Sequence, residues 1–96
     1  MSTPIAAAGV LQAAQSTAVD STAQLRYIRV TCYNADTVNH TFTLVIGATN
    51  VQKRVVAPGD DWTFGPHAIA SGTSVYINNA EATTTTAPNY AVTGEY

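Results

Sequence analysis

The acidic pair Asp60-Asp61 is the first place in the sequence where chemistry could occur, because two adjacent carboxylates after a Pro-Gly turn can bind Ca²⁺. A calcium loop, however, supplies about six to eight oxygen ligands, commonly from a DxDxDG-like series. No such series surrounds this pair. We therefore expect the two carboxylates to be solvated in a turn, with no metal bound.

His40 and His67 are the two histidines of the sequence, and each falls in a different predicted turn. Neither has a Cys or Glu partner at the spacing of a zinc motif. Ser, His and Asp are all present, but the sequence has no GxSxG nucleophile elbow, no P-loop and no GxGxxG. The sequence therefore predicts no metal, no cofactor and no catalytic residue, and we do not expect an enzyme.

The single cysteine, Cys32, excludes a disulfide within the chain. It alternates with Ile28 and Val30 along a predicted strand, which indicates a thiol on the buried face. A reactive thiolate needs a nearby base or cation, and the sequence places none beside this residue. We expect Cys32 to be buried and inert.

Charged residues make up only 10% of the sequence, whereas soluble domains average about 25%. The net charge is −2, and the four basic residues form two pairs, Arg26 with Arg29 and Lys53 with Arg54. So few cations cannot form the stripe of phosphate contacts that nucleic-acid binding requires, so we interpret both pairs as solvated strand positions. A surface this poor in charge has little protection against edge-to-edge pairing. It indicates a chain that is covered by neighbours of its own assembly or one that works outside a crowded cytoplasm.

Membrane partners and secretion are not predicted. No segment reaches the roughly 18 to 20 continuous apolar residues of a membrane span. The N-terminal MSTPIAAAGVLQAAQ has no basic region and only a weak apolar run, so we do not identify a signal peptide.

β-Strands must position these residues. In the stretch LRYIRVTCYNADTVNHTFTLVIGATNVQKRVV, apolar and polar residues alternate with the period of strands that have one face in a core. Turn formers recur about every 8 to 12 residues, which is typical of an all-β sandwich or barrel. The sequence predicts one antiparallel β-sandwich domain over residues 19–96, jelly-roll or Ig-like, with about seven or eight strands. The predicted core residues are Ile28, Val30, Phe42, Leu44 and Trp62.

Residues 1–18 are predicted to form an extended N-terminal arm or a first strand. We place the strand or arm over about Gly9 to Ala18. A helix is the alternative, because the segment is rich in alanine, although Pro4 and Gly9 interrupt the helical pattern. An arm of this kind could add a strand to a neighbouring protein, since strand addition depends on main-chain hydrogen bonds.

Three tyrosines are predicted on the strand faces that point away from the core. Exposed tyrosines can stack on sugar rings or anchor a protein partner. The alternative is that a second layer or the N-terminal arm covers them. Together with apolar residues of the N-terminal segment, they form the set of predicted partner contacts: Tyr27, Tyr33, Tyr76, Pro4, Ile5 and Val10.

The segment from Gly9 to Tyr96 resembles small β-sandwich proteins of tailed bacteriophages. The likeness is carried by an Ala/Thr-rich first strand before YIRVTCYNAD, then HTFTLVIGA, VVAPGDDWTF, GPHAIASGTSVYI and a closing YAVTGEY. The resemblance implies a structural component of a virion assembled in the host cytoplasm, first of all a capsid decoration (cement) protein that stabilises the head shell. The alternative is a tail, fibre or collar module that binds a receptor or glycan. The implied partners are the major capsid protein or tail proteins, with many copies or a homo-oligomer.

Overall fold

The computed structural model describes residues 4–11, 13–20 and 24–96, with Pro4 described by its backbone only. This part of the chain contains eight strands and no helix, so the helical alternative for the N-terminus is wrong where the structure describes it. It also contains no helix long and apolar enough to cross a membrane. The strands are β1 (Pro4–Val10), β2 (Ser16–Asp20), β3 (Arg26–Tyr33), β4 (His40–Ile46), β5 (Thr49–Val56), β6 (Asp61–Ile69), β7 (Val75–Asn79) and β8 (Asn89–Glu95).

The strands form two four-stranded antiparallel sheets. Sheet A has the order β1-β8-β3-β6, and sheet B has the order β2-β7-β4-β5. Every neighbouring pair runs antiparallel. The two sheets enclose one apolar core between them, so the prediction of an all-β antiparallel sandwich is confirmed at this level.

The core consists of the inward-facing residues of both sheets. In β3, Ile28 and Val30 are buried while Tyr27 and Arg29 on the other face are exposed, as the alternation predicts. Phe42 of β4 is fully buried opposite them. Burying a side chain of this size stabilises the fold by about 1.5–3 kcal/mol. The four predicted core residues Ile28, Val30, Phe42 and Leu44 are buried, and Trp62 is half-buried at the margin.

β6 continues through Gly65-Pro66, where the sequence pattern predicts a break. The register against β3 shifts between Ile28 and Val30, so the extra residue is absorbed as a bulge. Gly65 has a φ of +99°, and a Cβ on it would lie 2.9 Å from the carbonyl oxygen of Ile28. The Gly-Pro pair therefore bends the strand without ending it.

The N-terminal residues form two strands that belong to different sheets. β1 pairs with β8 from Pro4 opposite Glu95 to Val10 opposite Asn89, and β2 pairs with β7. Leu11 between them is fully buried, and its N–H donates to the carbonyl of Pro88 at 2.8 Å. This buried anchor divides the segment that the sequence predicted as one strand or arm over 9–18.

Candidate functional site

A cluster of buried polar groups joins the β3–β4 loop to the loop that precedes β8. The Asp36 carboxylate accepts hydrogen bonds from the backbone N–H groups of Thr84 at 2.8 Å and Thr85 at 2.9 Å. It also accepts from both threonine hydroxyls, at 2.5 Å and 3.0 Å. The two ring nitrogens of His40 lie 2.8 Å from Asp36 Oδ2 and 2.7 Å from Asn79 Oδ1. The side chains of Asp36 and His40 are both fully buried.

The electrostatics of this cluster favour an ionised Asp36. Burial alone raises the pKa of Asp36, but hydrogen bonds from Thr84, His40 and Thr85 outweigh it and hold that pKa well below its usual range. The His40 ring has both nitrogens occupied and stacks on Phe42, with the ring centroids 6.0 Å apart. Both side chains are fully buried and hydrogen-bonded, so the arrangement fastens two loops together.

Sequence reasoning missed this cluster. It placed His40 in a turn between two predicted strands and interpreted residues 80–89 as an exposed polar loop. The available signal was the run of four threonines at 83–86, which can supply several hydroxyl and amide donors to one carboxylate. Because Asp36 and Thr84 are 48 residues apart, no local pattern could pair them.

The predicted metal candidates remain separate. Asp60 lies in the turn before β6 and Asp61 begins that strand, and both are exposed. His40 belongs to sheet B, whereas His67 lies half-buried on β6 in sheet A. Within residues 4–11, 13–20 and 24–96, no group of three or more His, Cys, Asp or Glu side chains is arranged to hold a metal ion.

Cys32 is buried on the inner face of β3, as the sequence predicted. Burial raises the pKa of its thiol to about 12. At neutral pH the group is therefore a protonated thiol with little nucleophilic character.

The interpretation of Arg26 as a solvated strand position is wrong. Its guanidinium is fully enclosed and donates to Asp20 Oδ2 at 2.5 Å, to the carbonyl of Ala70 at 3.2 Å and to the carbonyl of Thr73. Asp20 is the last residue of β2, and Ala70 and Thr73 lie in the β6–β7 turn. A planar guanidinium with five donors suits this role, because it satisfies several backbone carbonyls at once.

The other basic residues, Arg29, Lys53 and Arg54, are exposed. The guanidinium of Arg54 lies over the ring of Trp62, 4.1 Å from its centroid. Both residues line a surface cleft of about 170 Å³, together with Asp60 and Asp61. The lining of this cleft therefore includes one guanidinium and two carboxylates, and the cleft lies at the margin of the sandwich.

The predicted partner contacts do not form one surface. Tyr27 and Tyr33 are exposed on the outer face of sheet A, where neither a second layer nor β1 covers them, whereas Tyr76 is half-buried on the outer face of sheet B. Val10 is 52% exposed and Ile5 is half-buried on β1. The side chain of Pro4 lies outside the described residues. Contact of these residues with a partner stays a prediction.

Of the four edge strands, β1 and β5 expose the largest share of their described residues. In β5 every residue except Val56 is exposed. In β1 Ala6, Ala7, Ala8 and Val10 are exposed, and the strand carries no charged residue. An edge strand presents unpaired backbone N–H and C=O groups and can pair with another chain unless charge, proline or a covering segment prevents it. β1 and β5 are therefore edges whose backbone groups are open to pairing with another strand.

No model of a known protein family matches this chain, and no curated protein matches it. Among solved structures, the fold matches a protein of the Bacillus endospore appendages, which are described as "a novel family of disulfide-linked pili". The match has a TM-score of 0.63 at 18% sequence identity and covers 100% of this chain and 86% of that chain. At this identity the likeness shows a shared fold.

The prediction of a bacteriophage capsid decoration protein, with a tail or fibre module as its alternative, is wrong. A solved protein that shares this fold over the whole chain is a Bacillus endospore appendage protein, not a phage protein. The residues that carried the phage resemblance were turn formers and alternating strands. Such features specify how a sandwich closes, and unrelated sandwiches share them.

Proposed function

We propose that this protein is a structural subunit that assembles side by side with many copies of itself and that it has no catalytic activity. The observation that carries the proposal is the pair of exposed edge strands, β1 and β5. Solitary β-proteins shorten, charge or cover their edges, because an open edge is a template for another chain. Here β1 is uncharged along its whole length, and only 10% of the sequence is charged.

The fold likeness to a pilus protein supports an assembly of many copies. That protein is described as a member of a family of disulfide-linked pili. The present chain has a single cysteine, which is fully buried and whose pKa is raised to about 12. While Cys32 stays in the core, it cannot link copies of this chain, so the contacts between them are non-covalent.

We also infer that the sandwich is a jelly roll and not an Ig-like sandwich. The strands pair from the ends of the chain inward: β1 with β8, β2 with β7, β3 with β6, and β4 with β5. Along the sequence, each pair therefore encloses the next. An eight-stranded double sheet rolled in this way is typical of jelly rolls. In this description, the predicted N-terminal arm corresponds to β1, an edge strand that can also pair outward.

The proposal is tested by the mass of the purified protein in solution. We expect light scattering after size exclusion to show species larger than the 10.1 kDa chain, growing with concentration. Negative-stain electron microscopy of the same fractions should show repeating particles or filaments. A matched control, Thr93→Ser on the exposed face of the inner strand β8, should assemble like the wild type. A single monomeric peak at all concentrations would overturn the proposal.

A further inference from the structure

The edge strands lie in pairs at the two flanks of the sandwich. β1 and β6 are the edges of sheet A, and β2 and β5 are the edges of sheet B. Across the core, β1 lies against β2, and β5 lies against β6. Each flank therefore offers a neighbour one edge of each sheet.

Two of the four edges are poorly suited to accept a strand. β6 carries Pro66 in its middle, which has no N–H to donate, and its register shifts opposite Ile28 and Val30. β2 has five residues, and its pairing shifts between Ala18 and Asp20. Bulges and prolines of this kind protect an edge, because they bend it away from a regular ladder.

The other two edges have longer regular stretches: β1 is regular along its whole length, and β5 is regular over residues 52–56, beyond a register shift opposite Leu44 and Val45 of β4. β1 pairs with β8 over seven consecutive residues, and β5 pairs with β4 residue by residue over 52–56. On the open side of an antiparallel edge, every second residue directs its N–H and C=O away from the sheet. β1, and β5 over residues 52–56, therefore each carry a regular row of backbone donors and acceptors, one at each flank.

Both strands also leave part of their inner face uncovered. Gln52 stands beside buried Leu44 on the inner face of sheet B, yet it is exposed. On the other flank, Ala7 stands beside buried Val92 and is exposed as well. A strand between two complete layers would bury its inner face, so a neighbouring subunit has room to cover these residues.

We propose that the β1 edge of one copy pairs with the β5 edge of the next, so that sheet A of one subunit continues into sheet B of its neighbour. The inference rests on the proposed function. A second copy is the occupant because the two open edges lie at opposite flanks of one chain and cannot meet within it. Such a contact is heterologous, and each added subunit leaves a new β1 or β5 edge open for growth.

Charge decides between this contact and its symmetric alternatives. Two β5 edges facing each other would bring Lys53 and Arg54 of both copies together, and like charges on facing strands are destabilising. β1 contains no charged residue, so it meets β5 without repulsion. A β1–β1 contact would leave the longer β5 edge unpaired and would stop at a dimer.

Cysteine cross-linking tests the contact directly. Ala7→Cys on β1 is mixed with Val51→Cys, Gln52→Cys or Lys53→Cys on β5, and disulfides are read on a non-reducing gel after mild oxidation. We expect heterodimers in at least one mixture, at several times the yield of either variant alone. Thr93→Cys, exposed on an inner strand, is the matched control and should not cross-link. Cys32 can stay in place, since its thiol is buried.

A second variant separates edge addition from an exchange of β1 between copies. Ala8 and Ala91 are direct partners across β1 and β8 and are both exposed, so Ala8→Cys with Ala91→Cys fastens β1 to its own sheet. We expect the oxidised variant to assemble as the wild type does. If oxidation blocks assembly and reduction restores it, β1 must leave its sheet, and the inference is overturned.

The outcomes of these experiments are distinguishable from failure of the proposed function. A wild-type protein that is monomeric throughout refutes the assembly itself. A wild-type protein that assembles, but whose β1 and β5 cysteines do not cross-link or whose β1 cysteines cross-link with one another, refutes only this interface. Fluorescence of Trp62, the single tryptophan, confirms that each variant is folded.

Discussion

Arg54 on β5 stacks on Trp62 on β6 and so closes the gap between the two sheets at one flank, with the guanidinium carbon 4.1 Å from the ring centroid. The two residues belong to different sheets, so their contact is a tie across the sandwich. The indole Nε1 is buried and has no hydrogen-bond partner among the described residues. Arg54 therefore covers the Trp62 ring, which packs against the core, but it does not accept a hydrogen bond from the indole N–H.

Removing the guanidinium should loosen this flank. We expect Arg54→Ala to lower the free energy of unfolding by about 0.5–1 kcal/mol, the range of a cation–π contact at an exposed site. The emission of Trp62 should shift to longer wavelength, because the ring gains contact with water. Urea unfolding followed by tryptophan fluorescence measures both effects. Lys53→Ala, the neighbouring exposed cation with no contact to a ring among the described residues, should change neither, and an equal effect there would show that only charge matters.

The Asp36 cluster should make stability depend on acid pH. Since hydrogen bonds hold the pKa of Asp36 below its usual value, the native carboxylate binds a proton less readily than the unfolded one. Its contribution to stability is therefore present above the ordinary carboxyl pKa of about 3.9 and is lost as the pH falls through and below it.

Asp36→Asn isolates that contribution. We expect this variant to be less stable than the wild type at neutral pH, because a neutral amide cannot accept the same set of hydrogen bonds. The loss should shrink as the pH is lowered towards about 3, where the unfolded wild-type carboxyl is protonated. Urea midpoints at several pH values measure it. Asp60→Asn, an exposed acid in the turn before β6, is the control, and a similar pH profile for both variants would contradict the assignment.

Sequence patterns predicted the strands well where the burial of a residue follows from the polarity of its immediate neighbours. Alternation in β3 and β4 placed Ile28, Val30, Phe42 and Leu44 in the core, and all four are buried. A strand pattern needs only the polarity of adjacent residues and the period of two.

The same patterns failed where a partner lies far along the chain. Arg26 is satisfied by the carbonyl of Thr73, 47 residues away, and Asp36 by Thr84, 48 residues away. Local rules assign an Arg or Asp to solvent, because burial of a charge is unfavourable unless a partner compensates it. The partners arise from the order of the strands in the sheets, which the alternation does not specify. For the same reason, turn chemistry indicated a sandwich correctly and the function of a phage capsid protein wrongly.

The buried thiol of Cys32 should resist alkylation in the native protein. Because burial raises its pKa to about 12, almost no thiolate is present at neutral pH, and access to the sulfur is blocked as well. We expect mass spectrometry to show no adduct with iodoacetamide in buffer and complete reaction in urea. The Thr93→Cys variant, exposed on the inner strand β8 outside the proposed contact, provides the reference thiol in the same chain and should gain one adduct under native conditions. Rapid native labelling of Cys32 would show that the core opens.

Two glycines on paired strands should differ sharply in their tolerance of alanine. A Cβ at Gly94 on β8 would lie 2.1 Å from the backbone oxygen of Tyr27 on β3, so one central strand would have to move. A Cβ at Gly9 on β1 would meet only the ring end of Tyr90, 2.8 Å from its hydroxyl oxygen. We expect Gly94→Ala to cost more than about 3 kcal/mol and Gly9→Ala about 1–2 kcal/mol, because a side chain can rotate aside whereas a paired backbone cannot.

Thermal unfolding followed by circular dichroism measures this difference. Gly94→Ala should unfold far below the wild type or fail to fold, and Gly9→Ala should keep a cooperative transition slightly below it. Gly59→Ala, in a turn where a Cβ meets no atom within 4 Å, is the matched control. Its cost arises from a φ of +80° alone, so it should be destabilised by about 1 kcal/mol through backbone strain. If Gly94→Ala were no worse than Gly59→Ala, β8 could not lie as close to β3 as the structure places it.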